Sequence, residues 1–403
     1  MKRKHLWIII FCLFLVIIFI SVNKSSNENI SIDLYDDLYA QLPDWSITEF
    51  PNSTSNYDGA SYAWGWSYAG NSLVNMYRVT GEEKYLKIFV KQAKYIFSKT
   101  DDKLGIESFT GTGLSLPAWS DQGRYTSGNF NYIYPVHTGM ITLPILRFID
   151  TVYSEHLDQY KDIADEFLKA TGKALEVHNQ DNMWVDFSDT EGFYMGHPYG
   201  KGIVSEAGKI GILNRISVYL AATGLYDKLN DSNIYRSRIE KSLNYIKYSL
   251  LKYDERFDSY YWSYWEDQIL EKNWEDISHA TLTVNSIFIL HEEVGFSVFN
   301  DEDFERFANN VYKIIDDQTS PIKMRKHIHK KDEEVQTYYT SDENPYYYDV
   351  FRWSFLGIYD KNILNELEKV SEEIDMNKMS PIDRISSIAS FLYTKEKTKT
   401  FGF

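Results

Sequence analysis

Apolar residues recur at helical spacing through most of the chain. Amphipathic helices are expected near 59–79, 82–99, 135–153, 156–175, 203–222, 233–251, 277–293, 301–316, 346–356, 360–374 and 381–393. No comparable series of alternating strands is present. Pro135 and Pro381 stand at the first position of their segments, where proline is tolerated. Only Pro144 lies well inside one.

Several segments close alike. YRVTGEEKYLKIF, LAATGLYDKLND, HEEVGFSVFNDEDF and SFLGIYDKNIL each read as an apolar helix ending at Gly81, Gly224, Gly295 or Gly357, followed by a more charged helix. Glycine suits the left-handed residue that ends a helix. Gly224 to Gly295 is 71 residues, and Gly81 to Gly224 is 143, about twice that. A helix also turns near residue 152, without the glycine. The pattern is a repeat of helical hairpins. Five are complete, and Pro381–Leu392, with Ser380 as N-cap, supplies part of a sixth.

Long links near 100–134, 178–202, 253–276 and 318–345 join the hairpins. In a ring of hairpins they fall on one face, and links of this length are usually functional. They are also the most aromatic parts of the chain: SLPAWSDQGRY, NMWVDFSDTEGFYMGHPYGK, FDSYYWSYWEDQILEKNWED and YYTSDENPYYYDVFRW. Such rings either plug the ring mouth as core or stack on sugar faces. Trp64, Trp66, Trp119, Trp184, Trp262, Trp265, Tyr348 and Trp353 are the candidates, with Arg124, Asp186 and Arg352 as polar partners.

At 403 residues the chain is long enough for one large domain or two ordinary ones. The balance of 42 Lys+Arg against 58 Asp+Glu gives −16 and offers phosphates no basic field, which argues against nucleic acid as a partner. Cys12 is the single cysteine, so no intramolecular disulfide forms. The opening MKRKH precedes unbroken apolar sequence from Leu6 to Ile20. Residues 1–22 therefore read as a signal anchor or a cleaved signal peptide, 23–54 as a tether and N-terminal arm, and 55–403 as the body. The body is expected outside the cytoplasm, periplasmic or extracellular: membrane-anchored through residues 6–22, or secreted if the signal is cleaved.

With its hairpin period, aromatic links and inner helices entered by polar motifs such as YPVHTGM and NWEDISHA, the chain resembles the (α/α) toroid carbohydrate-active enzymes over about residues 55–395. These include polysaccharide lyases, uronyl C5-epimerases and glycoside hydrolases. The resemblance implies an all-α toroid of five or six hairpins and a polysaccharide or oligosaccharide substrate. It assigns no catalytic residue.

Candidate chemistry comes from the residues. In NWEDISHA, Asp276 or Ser278 caps the helix that follows, and Glu275 and His279 lie four apart. His137 stands at the equivalent entry two hairpins earlier, and Tyr194 and His197 lie on the next link. Each histidine reads either as a hydrogen-bonded structural group or as a proton carrier near neutral pH. Proton abstraction from a uronate, by lyase or epimerase, would use these histidines and tyrosines with Arg124 or Arg352 on the carboxylate. Hydrolysis would set Asp186, Asp189 or Glu191 against Glu275 or Asp276. A glycan-binding or assembly protein without catalysis is the third class, and the tether suits work beside glycan synthesis or export machinery. No cofactor or metal is expected. His327 and His329 in KHIHKK read as a solvated loop without a third ligand, and GTGLS lacks the lysine of a phosphate loop.

Overall fold

The computed structural model describes residues 30–45, 59–122, 125, 129–264, 274–316, 322–328, 338–339, 345–373 and 376–400. The apolar run from Leu6 to Ile20 lies outside them. Among the described residues, no helix is long and apolar enough to cross a membrane.

Among the described residues, six helical elements form a closed inner ring. The first is α2 (Ser67–Thr80), entered through the turns Gly59–Ser61 and Tyr62–Trp66. Next come α5 (Pro135–Ser154), α7 (Leu213–Leu229) and α9 (Ile277–Phe288, extended by a wide turn over Ile289–Val294). A 3-10 helix (Pro345–Ile358) and α12 (Pro381–Thr400) complete it. Each packs on the next, and α12 returns to α2. At Gly139 the backbones of α5 and α7 approach closely: a side-chain carbon there would lie 2.8 Å from the Tyr219 nitrogen of α7. Around the ring lie α3 (Glu83–Phe97), α6 (Lys161–Glu176), α8 (Arg236–Asn244), α10 (Asp301–Ile314) and α11 (Asn362–Glu373). The sixth outer place is filled from the other end of the chain. There α1 (Ile32–Tyr39) packs on α12 and bonds Ser72 through Tyr35 and Lys84 through Asp36.

The hairpin period is thus real and the ring closes with six. Two of the four glycines end helices as expected: Gly81 and Gly295 are left-handed, with φ of 70° and 93°. The other two do not. Helix α7 runs on past Gly224, which lies against Leu290 of α9, and Gly357 sits under Leu364. They are places of close packing. The segment expected at 203–222 begins only at Leu213, because residues 192–211 form backbone bridges instead.

The long links carry a short helix, α4 (Asp101–Leu104), and short antiparallel ribbons: β1 (Asp121–Gln122) with β2 (Asn131–Tyr132), β3 (Trp184–Asp186) with β4 (Gly192–Tyr194), and β5 (Lys252–Asp254) with β6 (Ser259–Tyr261). A three-stranded ribbon joins β7 (Ile315–Asp316), β8 (Lys323–Arg325) and β9 (Tyr338–Tyr339). Each link precedes an inner element, so the N-terminal ends of the inner elements share the face that holds the ribbons.

Candidate active site at the ring mouth

Residues 274–277 are fixed from both sides before α9 begins. Ser263 bridges Trp274, and the Glu275 amide donates to the Trp262 carbonyl at 3.2 Å. On the other side Ile328 donates to the Glu275 carbonyl and Ile277 to that of Lys326, both at 3.0 Å. From below, Trp353 Nε1 donates to the Ile277 carbonyl at 3.2 Å. KHIHKK is therefore not a solvated loop in its first half. Its residues 326–328 pair with the NWEDIS segment, and His327 bridges Asp276. His329 lies outside the described residues.

Asp276 is the N-cap of α9. Its Oδ1 accepts from the amides of Ser278 and His279, both at 3.0 Å, and its Oδ2 lies 2.5 Å from His279 Nδ1. Burial pushes the carboxyl up, but the bond from His279, its charge and that of His327 bring it below the usual range. His279 is raised: burial opposes its charge, yet the bond to Asp276 and the nearby carboxylates outweigh that. This pair is the accessible one, with 23% of the Asp276 side chain and 37% of the His279 side chain exposed.

Two further carboxyls behave in the opposite way. Glu275 is fully buried, and burial pushes it up to about 7 against the hydrogen bond from Asn214. Asn214 Nδ2 reaches Glu275 Oε1 at 2.5 Å, and Trp262 Nε1 donates to Oε2. Asp349, on the 3-10 helix, is pushed up to about 6 by burial despite Arg352 beside it. Arg352 Nε lies 3.4 Å from Asp349 Oδ1, its other arm pairs with Asp383 of α12, and its guanidinium stacks 4.5 Å over the Tyr68 ring of α2. Next to this group Arg215 of α7 pairs with Glu206, lies 4.2 Å over the Tyr125 ring and donates to the Tyr264 hydroxyl at 3.3 Å. Tyr264 in turn packs on His279, with ring centres 5.1 Å apart.

Several expected site residues take other roles. His279 pairs with Asp276 rather than Glu275, because α9 starts only at Ile277 and Glu275 precedes its cap. His137 is buried, and its Nε2 accepts from Trp64 Nε1 at 3.3 Å, with Tyr125 and Tyr134 around it. Trp64 remains at the mouth as its partner. Trp66, Trp119 and Trp353 are core: their indole nitrogens donate to Gln92, the Ile96 carbonyl and the Ile277 carbonyl. Trp262 is buried too and holds Glu275 instead of stacking on a sugar. Tyr194 is wedged between Trp184 and Tyr219, bonded to Asn179. His197 is buried among Phe109, Tyr199 and His178, and burial holds it neutral at about 3. Trp184 lies under Arg238, and Asp186 bonds Lys241 of α8. Glu191 bonds Ser249, also on the outer layer, so this hairpin is not brought to Glu275. Arg124 and Trp265 lie outside the described residues, as does the side chain of Tyr348.

Sequence reasoning missed Asn214, Arg215, Glu206, Tyr68, Tyr125, Tyr264 and Asp349, and set His327 aside as solvated. A signal for part of this set is present. Asn214-Arg215-Ile216-Ser217, Glu275-Asp276-Ile277-Ser278 and Asp383-Arg384-Ile385-Ser386 repeat one entry pattern at three inner elements. Its first position supplies a site residue each time. Among the described residues, no group of His, Cys, Asp and Glu is arranged to hold a metal ion.

No family model matches the chain, and no curated protein matches it. Among solved structures it is similar to the alpha-1,6-mannanase GH76A of Salegentibacter sp. HEL1_6. An inactive double-aspartate variant with alpha-1,6-mannotetrose aligns with TM-score 0.49 and 11% identity, covering 91% of this chain and 98% of that one. A second inactive variant, with alpha-1,6-mannotriose, gives 0.46 and 13% over 91% and 99%, and the unsubstituted enzyme gives 0.46 and 12% over 91% and 98%.

Proposed function

We propose that the ring mouth is the active site of a glycan-cleaving enzyme, and that it works by hydrolysis. The observation that carries this reading is the split among neighbouring carboxyls: Asp276 is held ionised, while Asp349 is pushed up to about 6 and Glu275 to about 7. Divergent carboxyls at one site are how acid and base roles are divided. In this reading Asp276 and His279 draw a proton from water as its oxygen bonds the anomeric carbon. The bond from that carbon to the leaving oxygen breaks, and a protonated carboxyl, Asp349 being the candidate, delivers the proton. Glu275 is held on both oxygens and positions the segment.

Elimination from a uronate fits less well. It needs a cation facing the sugar carboxylate, and Arg215 and Arg352 are already engaged by Glu206 and by Asp349 with Asp383. The basic and apolar leader supports a body outside the cytoplasm. The test is incubation of the full-length chain with neutral, amino-sugar and uronate polysaccharides, following reducing ends and ultraviolet absorbance together. New reducing ends that Asp276→Asn abolishes support hydrolysis. An absorbance rise from an unsaturated uronate overturns it.

A further inference from the structure

We propose that Asp383 of α12 is a positioning residue for the candidate acid: by engaging the Arg352 guanidinium it leaves Asp349 with its proton. This rests on the hydrolase reading of the same site and goes deeper, from which carboxyl gives the proton to what holds the proton there. One guanidinium stands between two carboxyls, and its contacts with them are unequal. One terminal nitrogen donates to Asp383 Oδ1, and the other donates to the Tyr68 hydroxyl at 3.4 Å. Only Nε is turned toward Asp349, 3.4 Å from its Oδ1, and it makes no hydrogen bond. Asp349 Oδ2 is enclosed and has no hydrogen-bond partner either.

One positive charge does not neutralise two enclosed carboxylates. The proton that restores the balance belongs on the deeper of the two, because burial penalises its charged form more. Only 5% of the Asp349 side chain is exposed, against 31% for Asp383. Asp383 is fixed by its own helix start: Ser380 Oγ donates to its Oδ2 at 2.5 Å, and its amide donates to Ser380 Oγ at 3.2 Å. The surroundings of Asp349 agree. Burial raises its carboxyl most, Arg352 opposes that, Asp383 adds to it, the Ser278 hydroxyl opposes it, and Asp276 adds to it. In Asp383→Asn the amide oxygen can still accept from Arg352, but the second negative charge is gone. Guanidinium and Asp349 are then matched one to one, and Asp349 gives up its proton at lower pH.

The first measurement needs no substrate. Denaturant melts of the full-length chain from about pH 4 to pH 8 compare the parent with Asp349→Asn, and Asp383→Asn with the double variant. Asp349 stands at about 6, above the ordinary 3.8, so the stability its proton contributes is complete below pH 3.8 and lost as pH rises through about 6. Asp349→Asn should therefore gain on the parent across that window. With residue 383 uncharged, the gain in denaturant midpoint should shrink by about half or more. An equal gain in both backgrounds overturns the proposal. On a glycan that the chain cleaves, the alkaline fall in rate should begin about one pH unit lower in Asp383→Asn, a loss of about tenfold at pH 7 that fades toward pH 4. Asp383→Glu should restore the parent profile. A loss that is uniform in pH overturns the proposal and makes Asp383 a purely structural contact. Should Asp383→Asn fail to fold by circular dichroism, Asp383→Ser replaces it in both assays. Failure of the hydrolase reading shows separately, as the stability pattern without cleavage of any glycan.

Discussion

The Asp276 carboxylate does two jobs with two oxygens: Oδ1 caps α9 through the Ser278 and His279 amides, and Oδ2 meets His279 Nδ1 at 2.5 Å. The jobs can be separated. Asparagine caps a helix about as well as aspartate, so Asp276→Asn should keep the fold and lose the charge. Its melting temperature should stay close to that of the parent, while the rate of bond cleavage falls by about 100-fold or more. His279→Ala should lose a similar factor. A fall in rate that only tracks a fall in folded fraction would reduce Asp276 to a cap.

Glu275 predicts a pH-dependent stability. Its folded value of about 7 stands above the ordinary 4.5. The sign follows from that direction: the stability this proton contributes is complete below pH 4.5 and is lost as pH rises through about 7. Glu275→Gln removes the titration, and turning the Asn214 amide over lets both new groups bond. Denaturant melts at pH 5 and pH 8 should show the variant gaining on the parent by about 1–3 kcal/mol at the higher pH. A constant difference would mean that Glu275 is not the titrating group.

The indoles divide by role. Trp66→Ala should cost about 3–5 kcal/mol of stability, because a fully buried ring on Phe89 is removed. Asp186→Ala should melt with the parent, because its pair with Lys241 is exposed, and should leave cleavage unchanged. Chemical denaturation with a parallel reducing-end assay checks both. Loss of cleavage in Asp186→Ala would restore the link carboxylates as candidates.

Gly224 tests the packing of the ring. A methyl group there would lie 2.5 Å from Leu290 Cδ2, between two inner helices. Gly224→Ala should destabilise by about 1–3 kcal/mol, despite alanine's better helix propensity. At Gly81, where nothing lies within 4 Å and φ is 70°, Gly81→Ala should cost about 1 kcal/mol from backbone strain alone. A stabilised Gly224→Ala would show that the two helices have room to part.

The architecture was legible because inner and outer helices must each bury a face, and that requirement writes itself into the period. The caps at Gly81, Gly295 and Asp276 were legible for the same local reason. The site was only half legible. The NWEDISHA motif was found, but His279 was set against Glu275 four residues away, and the late start of α9 gives it to Asp276 instead. Asn214 meets Glu275 across 61 residues, and Arg352 meets Tyr68 across 284, distances that no spacing rule spans. The indoles misled because their aromatic character is the same in a core as in a cleft. What differs is the partner of the ring nitrogen, as Ile96 for Trp119 and Gln92 for Trp66 illustrate.

The return of α12 to α2 has a consequence for how the molecule is made. Arg352 clamps Asp349 only while it also holds Asp383 and rests on Tyr68, which belong to the last and first inner helices. A growing chain thus carries most of its ring with an open seam, and the seam closes only when residues beyond Pro381 arrive. Such late, distant contacts slow folding. The face that holds the ribbons is therefore the last part of the protein to close, and a chain cut short before Pro381 should lose the Arg352 clamp along with stability.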